Sequence, residues 1–229
     1  MSESLEREQS PHLSTRITLT RELNQLVDLV SHAGQECFVA LALSVSSLSI
    51  DASQIEQQVA SIAEKVQLES AQLEKNCFTI LTLQQPLLKD LRLVIGVLRM
   101  SPQFTRVAVY ALRLVALSNL IQDKNLVPAE LITISENCQL MLKDVLYAFK
   151  SGSAALAYEL VNKDHEIDFL HDTSFKKIIQ RIASDRKDLI EVDAQLLTIV
   201  RLLERIGDTV ANISKEVYFI HSGKRIQSG

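Results

Sequence analysis

The chain has no tryptophan, four prolines and six glycines. So few turn-formers in 229 residues mean few turns, and the elements must be long, which favours helices over many short strands. Cysteine is equally sparse. Cys37, Cys77 and Cys138 are odd in number, widely spaced and in no CxxC pair, so they read as reduced core residues of a cytoplasmic protein. Long apolar runs are also missing: the longest charge-free stretch, Cys37 to Ile50, is 14 residues and holds four serines. A spanning helix needs roughly 20 apolar residues, so no membrane span is expected. The polar, acidic N-terminus lacks the apolar stretch of a signal peptide. A net charge of −4 supplies no basic stripe, which argues against nucleic acid as the partner.

What is present suits a folded chain of one large or two modest domains: 47% hydrophobic and 23% charged residues. Residues 1–15 read as a disordered tail. Beyond them Leu19, Leu23, Leu26, Val30, Cys37, Leu41 and Leu48 recur mostly at intervals of three and four, predicting a first helix from Ile17 to about Ser49. Asp51, with Gln54 as its capping-box partner, opens a second helix that ends at Gln85-Pro86. A third covers about Leu87 to Gln122, with an interruption expected at Ser101-Pro102. A fourth starts near Pro128 and ends around Ser151-Gly152. Ser153 caps a fifth, which runs to about Ala183, and a sixth spans about Asp188 to Gly223.

In the sixth helix Leu196, Val200, Leu203, Gly207, Val210, Ser214 and Val217 form a seam spaced 4, 3, 4, 3, 4, 3, the signature of shallow-angle helix packing. Gly207 costs about 1 kcal/mol of helix propensity against alanine, which is reasonable if another backbone or an ion comes close. The halves repeat. Phe104 to Val109 aligns with Leu203 to Asp208 at an offset of 99, and Ala63 to Leu68 with Asp164 to Phe169 at an offset of 101. A duplicated three-helix unit of about one hundred residues follows. The expected fold is all-α: two tandem pseudo-symmetric three-helix bundles, residues 16–124 and 125–223, with a C-terminal tail at 224–229.

The second half carries the distinctive chemistry. Asp164, Asp168 and Asp172 lie four apart on the fifth helix, and Glu204, Asp208 and Asn212 four apart on the sixth, so each set shares one face. Such a face is ordinarily a solvated one. Here Glu204 and Asp208 adjoin the seam residues Leu203 and Gly207, and Asp164 and Asp168 sit beside Ile167, which puts both sets at an interface edge. Four carboxylates brought together cannot all remain ionised without positive charge. A cation held by oxygen ligands supplies it, as in metal-carrying helical bundles; Arg205 is the metal-free alternative. Asp168 and His171 have the i, i+3 spacing used in di-iron bundles, but no second copy and no ring of glutamates accompany them. No phosphate loop, GxSxG elbow, HExxH or Cys/His nucleophile pair is present, so no catalytic residue is expected.

The stretch Leu202-Leu203-Glu204-Arg205-Ile206-Gly207-Asp208, continuing through Asn212-Ile213 to Phe219, resembles the ERIGD…NI segment of the PhoU family. Gln85-Pro86 with Asp90-Leu91-Arg92 is similar to the family's QP…DLR segment, Met141 to Leu146 with Ala148-Phe149 to its fourth helix, and Asp164 through Asp168 to its DxxxD element. The resemblance spans Ile17 to Gly223. It implies two three-helix bundles with multinuclear metal sites built from paired E/DxxxD motifs. It also implies a homodimeric cytoplasmic regulator that negatively controls phosphate uptake and phosphate-starvation signalling. The implied partners are the phosphate ABC transporter ATPase and its sensor histidine kinase, with the membrane reached only through them.

The metal ligands implied are Asp164, Asp168, Glu204 and Asp208, with Arg205, Asn212, His171 and Asp172 as further ligands or supporting groups. Iron, zinc, nickel, manganese and magnesium all suit such a set. The first half departs from the pattern: Ala63, Gln67, Thr105 and Val109 stand at the carboxylate positions, although Arg106 remains. Metal is therefore expected in the second bundle only. The competing readings are a metal-dependent oxidase or hydrolase using the same carboxylates, and a metal-free helical dimerisation or adaptor module outside phosphate signalling.

Overall fold

The computed structural model describes residues 11–50, 53–184 and 189–226; the side chains of residues 11–15, 53 and 164–168 lie outside the described set. Six long helices follow one another: α1 (Pro11–Ser47), α2 (Ser53–Leu83), α3 (Leu88–Asn119), α4 (Ala129–Ser151), α5 (Ala154–Ile182) and α6 (Ile190–Ser222). A short 3₁₀ turn, Lys124–Leu126, lies between α3 and α4, and no strand occurs among the described residues. Helices α1, α2 and α3 pack on one another, and so do α4, α5 and α6. The two triads meet where α1 touches α4 and α3 touches α6. Equivalent helices thus pair across the join, and one buried apolar cluster runs through all six.

The duplication shows in the core chemistry. Cys37 Sγ on α1 donates to the carbonyl of Phe104 on α3 at 3.3 Å, and Cys138 Sγ on α4 donates to the carbonyl of Leu203 on α6 at 3.6 Å. All three cysteines are free and buried.

The local signals act as polymer chemistry requires. Ser153 accepts the amide of Leu156 and caps α5, while Gly152 and Gly223 take the left-handed conformation (φ 76° and 73°) that ends α4 and α6. The seam of α6 is buried from Leu196 to Val217, Gly207 included. On α1 the predicted stripe from Leu23 to Leu48 is buried, whereas Ile17 is exposed. The serines of the charge-free run are satisfied locally: Ser44 Oγ donates to the carbonyl of Leu41 and Ser47 Oγ to that of Ser44.

The start of α1 and the course of α3 at Pro102 differ from the sequence reading. α1 begins at Pro11, before Ile17, because proline is well accommodated in a first turn and nothing after it breaks the helix. The cap predicted at Asp51 lies outside the described residues. More telling, α3 runs unbroken through Pro102. Its Ser101 is buried against α2, where Ser70 Oγ donates to the Ser101 carbonyl at 2.8 Å and Ser101 Oγ donates to the Ser70 carbonyl at 2.9 Å. This reciprocal clasp, with Met100 and Phe104 fully buried beside it, outweighs the local cost of the proline. Finally, Arg16–Ser47 is long and apolar enough to cross a membrane by length and composition. Isolated charges such as Glu36 break a charge-free run without making a helix polar. In the fold the apolar stripe of this helix is packed into the core.

Candidate functional site

The acidic stripes lie on α5 and α6, which pack side by side. Both helices are amphipathic, and the residues that flank the buried seam of α6 fall at the edge of that contact. Glu204 is half-buried there, while Asp208, Asn212 and Arg205 are exposed. Asn212 Oδ1 lies 3.4 Å from Lys215 Nζ, and Arg205 makes no ion pair among the described residues. Arg205, expected as the metal-free counter-charge, is thus exposed, and the Asp164 and Asp168 side chains it would neutralise lie outside the described residues.

From α5, His171 reaches across to this edge. Its side chain is only 12% exposed; Nε2 lies 3.4 Å from Glu204 Oε2 and Nδ1 3.4 Å from Asp172 Oδ1. Nε2 is inaccessible to solvent and has no hydrogen-bond partner among the described residues, because the contact to Glu204 lacks hydrogen-bond alignment. Phe175 stacks on the imidazole with ring centroids 6.1 Å apart, and Arg201 caps the Phe175 ring from 5.6 Å. The ring is thus held by packing with one nitrogen aimed at a carboxylate it does not bond. A buried imidazole nitrogen beside a carboxylate oxygen is a donor pair that suits a borderline divalent cation.

Asp164 and Asp168 sit on α5 in the register that places them along the same edge, but their side chains lie outside the described residues. Among the described residues no group of three or more His, Cys, Asp or Glu is close enough to hold a metal ion.

At the equivalent first-half positions Ala63 is buried, Gln67 is exposed, and Thr105 and Val109 are half-buried; Arg106 is exposed and donates to Gln103 Oε1. The first half instead carries an ion-pair network between α1 and α2. His32 Nδ1 lies 2.8 Å from Glu69 Oε1, and Lys65 Nζ donates to Glu36 Oε1 at 2.5 Å. The hydrogen bond to Glu36 raises the Lys65 pKa. Sequence reasoning missed this network, although the i, i+4 spacings of His32 with Glu36 and Lys65 with Glu69 were available to it. Burial, reinforced by the charges of Glu69 and Glu36, pushes the nearby Cys37 thiol far above its ordinary range, so it is no nucleophile.

A third feature is apolar. At the α2–α3 turn Leu83, Leu87 and Leu88 are 68%, 73% and 81% exposed. The turn is strained, with Gln85 at φ 46° and Leu88 at φ 52° on either side of Pro86, a conformation bulky L-residues rarely adopt.

The PhoU domain family model matches the chain twice, at residues 30–117 and 131–217, one match in each triad. A curated relative from Zymomonas mobilis, a phosphate-specific transport system accessory protein PhoU homolog, is 26% identical over 90% of this chain and 87% of its own. One of the same description from Streptococcus pneumoniae is 25% identical over 90% of this chain and 95% of its own. Among solved structures, the phosphate transport system regulatory protein PhoU from Streptococcus pneumoniae superposes with a TM-score of 0.85 at 22% identity, covering 92% of this chain and 100% of its own. PhoU from Pseudomonas aeruginosa superposes with a TM-score of 0.74 at 23% identity, covering 92% and 99%. With both repeats matched in register and the six-helix arrangement shared, the chain belongs to the PhoU family.

Proposed function

We propose that this protein is a cytoplasmic regulator of phosphate uptake and phosphate-starvation signalling, acting negatively on a phosphate ABC transporter and its sensor histidine kinase. The observation that carries the reading is the double family match over both helical triads, together with relatives described as phosphate transport accessory proteins. The exposed leucines on the strained α2–α3 turn support docking onto a partner, since solvent-facing apolar knuckles on constrained backbone are characteristic of contact surfaces. The division into units at 16–124 and 125–223, and the homodimer, belong to the same proposal.

The second triad is the metal-binding one in this reading, with Glu204 and His171 contributing the described donors and Asp164, Asp168 and Asp208 the remaining carboxylates. A divalent or trivalent cation there would neutralise the acidic stripes and lock α5 to α6. Element analysis of protein purified without a chelator or a histidine tag should find metal at the content of one cluster. Replacing Glu204 and Asp208 together with alanine should abolish it, and replacing Gln67 and Thr105 should not. In the native cell, deletion should derepress phosphate-responsive genes, and the protein should co-purify with the transporter ATPase or the kinase. Unchanged phosphate-responsive expression and uptake after deletion would refute the regulatory assignment.

A further inference from the structure

Where α3 crosses α6, the two helices and the chain after Gly223 enclose a crevice of about 540 Å³, within the range of small-molecule sites. Gly223 in its left-handed conformation turns the chain back, so that Arg225 returns over the end of α6 and its guanidinium stacks on Phe219 at 4.1 Å. The crevice therefore receives side chains from three segments: Arg99 and Gln103 from α3, Asn212, Lys215 and Glu216 from α6, and Arg225 from the returning chain.

Its charge is the reverse of the protein's. The whole chain carries −4, whereas the crevice gathers three cations against one carboxylate, a local surplus of two positive charges. That carboxylate does not saturate the cations. Arg99 Nη1 and Arg225 Nη1 share the single oxygen Oε1 of Glu216 at 3.6 and 3.5 Å. Among the described residues Lys215 Nζ has only the neutral Oδ1 of Asn212, at 3.4 Å. Each guanidinium offers five N–H donors in a planar fork and each ammonium three, more than the one Glu216 oxygen and the Asn212 amide oxygen take up. Glu216, only 16% exposed, pins the two forks over the opening. Pro102 also lines the crevice and has no N–H, so the carbonyl of Leu98 lacks its usual helical donor.

We infer that this crevice binds a small dianionic oxyanion of the phosphoryl class, free or carried on a compact organic body. The surplus of two charges matches a phosphate dianion, and paired arginine forks are the preferred donors for phosphoryl oxygens. The site is separate from the α5–α6 acidic edge and does not rest on the proposed regulatory role.

The test is isothermal titration of chelator-treated full-length protein at low ionic strength with inorganic phosphate, adenosine 5′-monophosphate and, as a neutral control, adenosine. Chelation keeps any bound metal from capturing the anion. Phosphate and the monophosphate should bind saturably at one per chain, and added KCl should weaken both. Arg99→Gln with Lys215→Gln should weaken both at least tenfold, with an unchanged circular dichroism spectrum. Arg225→Gln, on a half-exposed residue outside the helices, should weaken both as an independent check on folding. Glu204→Gln with Asp208→Asn should bind as the native chain does, separating this site from the acidic edge. A tighter monophosphate identifies a carried phosphoryl group, and equal affinities a free anion; both support the inference. Adenosine binding as well as its monophosphate, no saturation at about 10 mM, an affinity unchanged in the Arg99/Lys215 variant, or binding lost with Glu204 and Asp208 would overturn it.

Discussion

Replacing Arg181 with alanine strands a carboxylate in the core. Arg181, in the last turn of α5, places Nε 2.6 Å from Asp193 Oδ1, contacts the same oxygen through Nη2, and donates from Nη1 to the carbonyl of Leu126 at 3.3 Å. The pair thus ties the end of α5 to the start of α6 and to the link between the triads. Its two members are buried unequally: the Asp193 side chain is 1% exposed and that of Arg181 29%. This asymmetry sets the ranking. Without Arg181 the carboxylate has neither counter-charge nor water, and breaking a buried pair in this way costs about 3–5 kcal/mol. Without Asp193 the guanidinium still reaches solvent and Leu126, and the loss should be about 1–3 kcal/mol. A protein of this size loses roughly 2–4 °C in Tm per kcal/mol. Arg181→Ala should therefore lower Tm by on the order of 10 °C, and Asp193→Ala by about half as much. The double variant leaves no buried charge and should melt above Arg181→Ala. Scanning calorimetry of the three proteins decides the matter. Equal losses from the two single changes, or a double variant less stable than Arg181→Ala, would show that the buried carboxylate is not what the arginine compensates.

Pro102→Ala should stabilise the protein by about 1–2 kcal/mol, a helix penalty of about 3 kcal/mol being partly offset by the greater freedom of the unfolded chain; a lower urea midpoint would show that the native fold needs the proline. Burial lowers the proton affinity of His221, whose Nε2 lies 3.1 Å from the Phe149 carbonyl. Its folded pKa is depressed, so the unfolded chain takes up a proton first as pH falls below about 6.5, and stability drops from there through the lowered folded value. His221→Gln should flatten that part of the Tm-against-pH profile, and an unchanged profile would exclude His221 as its source. Burial, then the charge of Glu74, pushes the Cys77 thiol up to about 12, and Cys37 is raised further. A thiol reagent at pH 8 should therefore label none of the three cysteines within minutes in the native state and all three in urea; rapid native labelling would contradict their burial.

Helix number, order and most ends were legible because the signals are local: the cap at Ser153, the left-handed glycines 152 and 223, and the three-four spacing of α6. Pro102 misled for the complementary reason. A proline's cost is local, but the clasp that offsets it joins Ser70 to Ser101 from another helix, and no sequence window contains both. The acidic edge was legible only as a helix face. Spacing placed Glu204 and Asp208 on one edge of α6 and singled out His171, yet the approach of His171 to Glu204 depends on how α5 sits against α6. The crevice was invisible in advance: Arg99, Lys215 and Arg225 come from separate segments, each with the look of an ordinary surface cation.

The non-acidic residues at Ala63, Gln67, Thr105 and Val109 are compatible with the contacts that keep the two halves alike. Their shared core requires the same thiol-to-carbonyl contacts, Cys37 to Phe104 and Cys138 to Leu203, and neither is altered by residues on the helix edge. The joins between the triads are stricter still, and unequal. A Cβ on Gly34 would overlap Leu146, and one on Gly96 would overlap Ile220, so the first half supplies both notches and the second half both knobs. Each half is then fixed in its own role, and the pseudo-symmetry of the backbone no longer requires symmetry of chemistry. Exchanging carboxylates for Ala63 and Gln67 on α2 removes like-charge repulsion and disturbs neither notch, so the fold offers no resistance to it. The first half has the apolar α2–α3 turn, whereas the second half has the polar sequence Ser184-Asp185-Arg186-Lys187-Asp188 at the equivalent junction. The two triads thus differ at their edges, with acidic residues along α5 and α6 and exposed leucines at the α2–α3 turn, on a single continuous core.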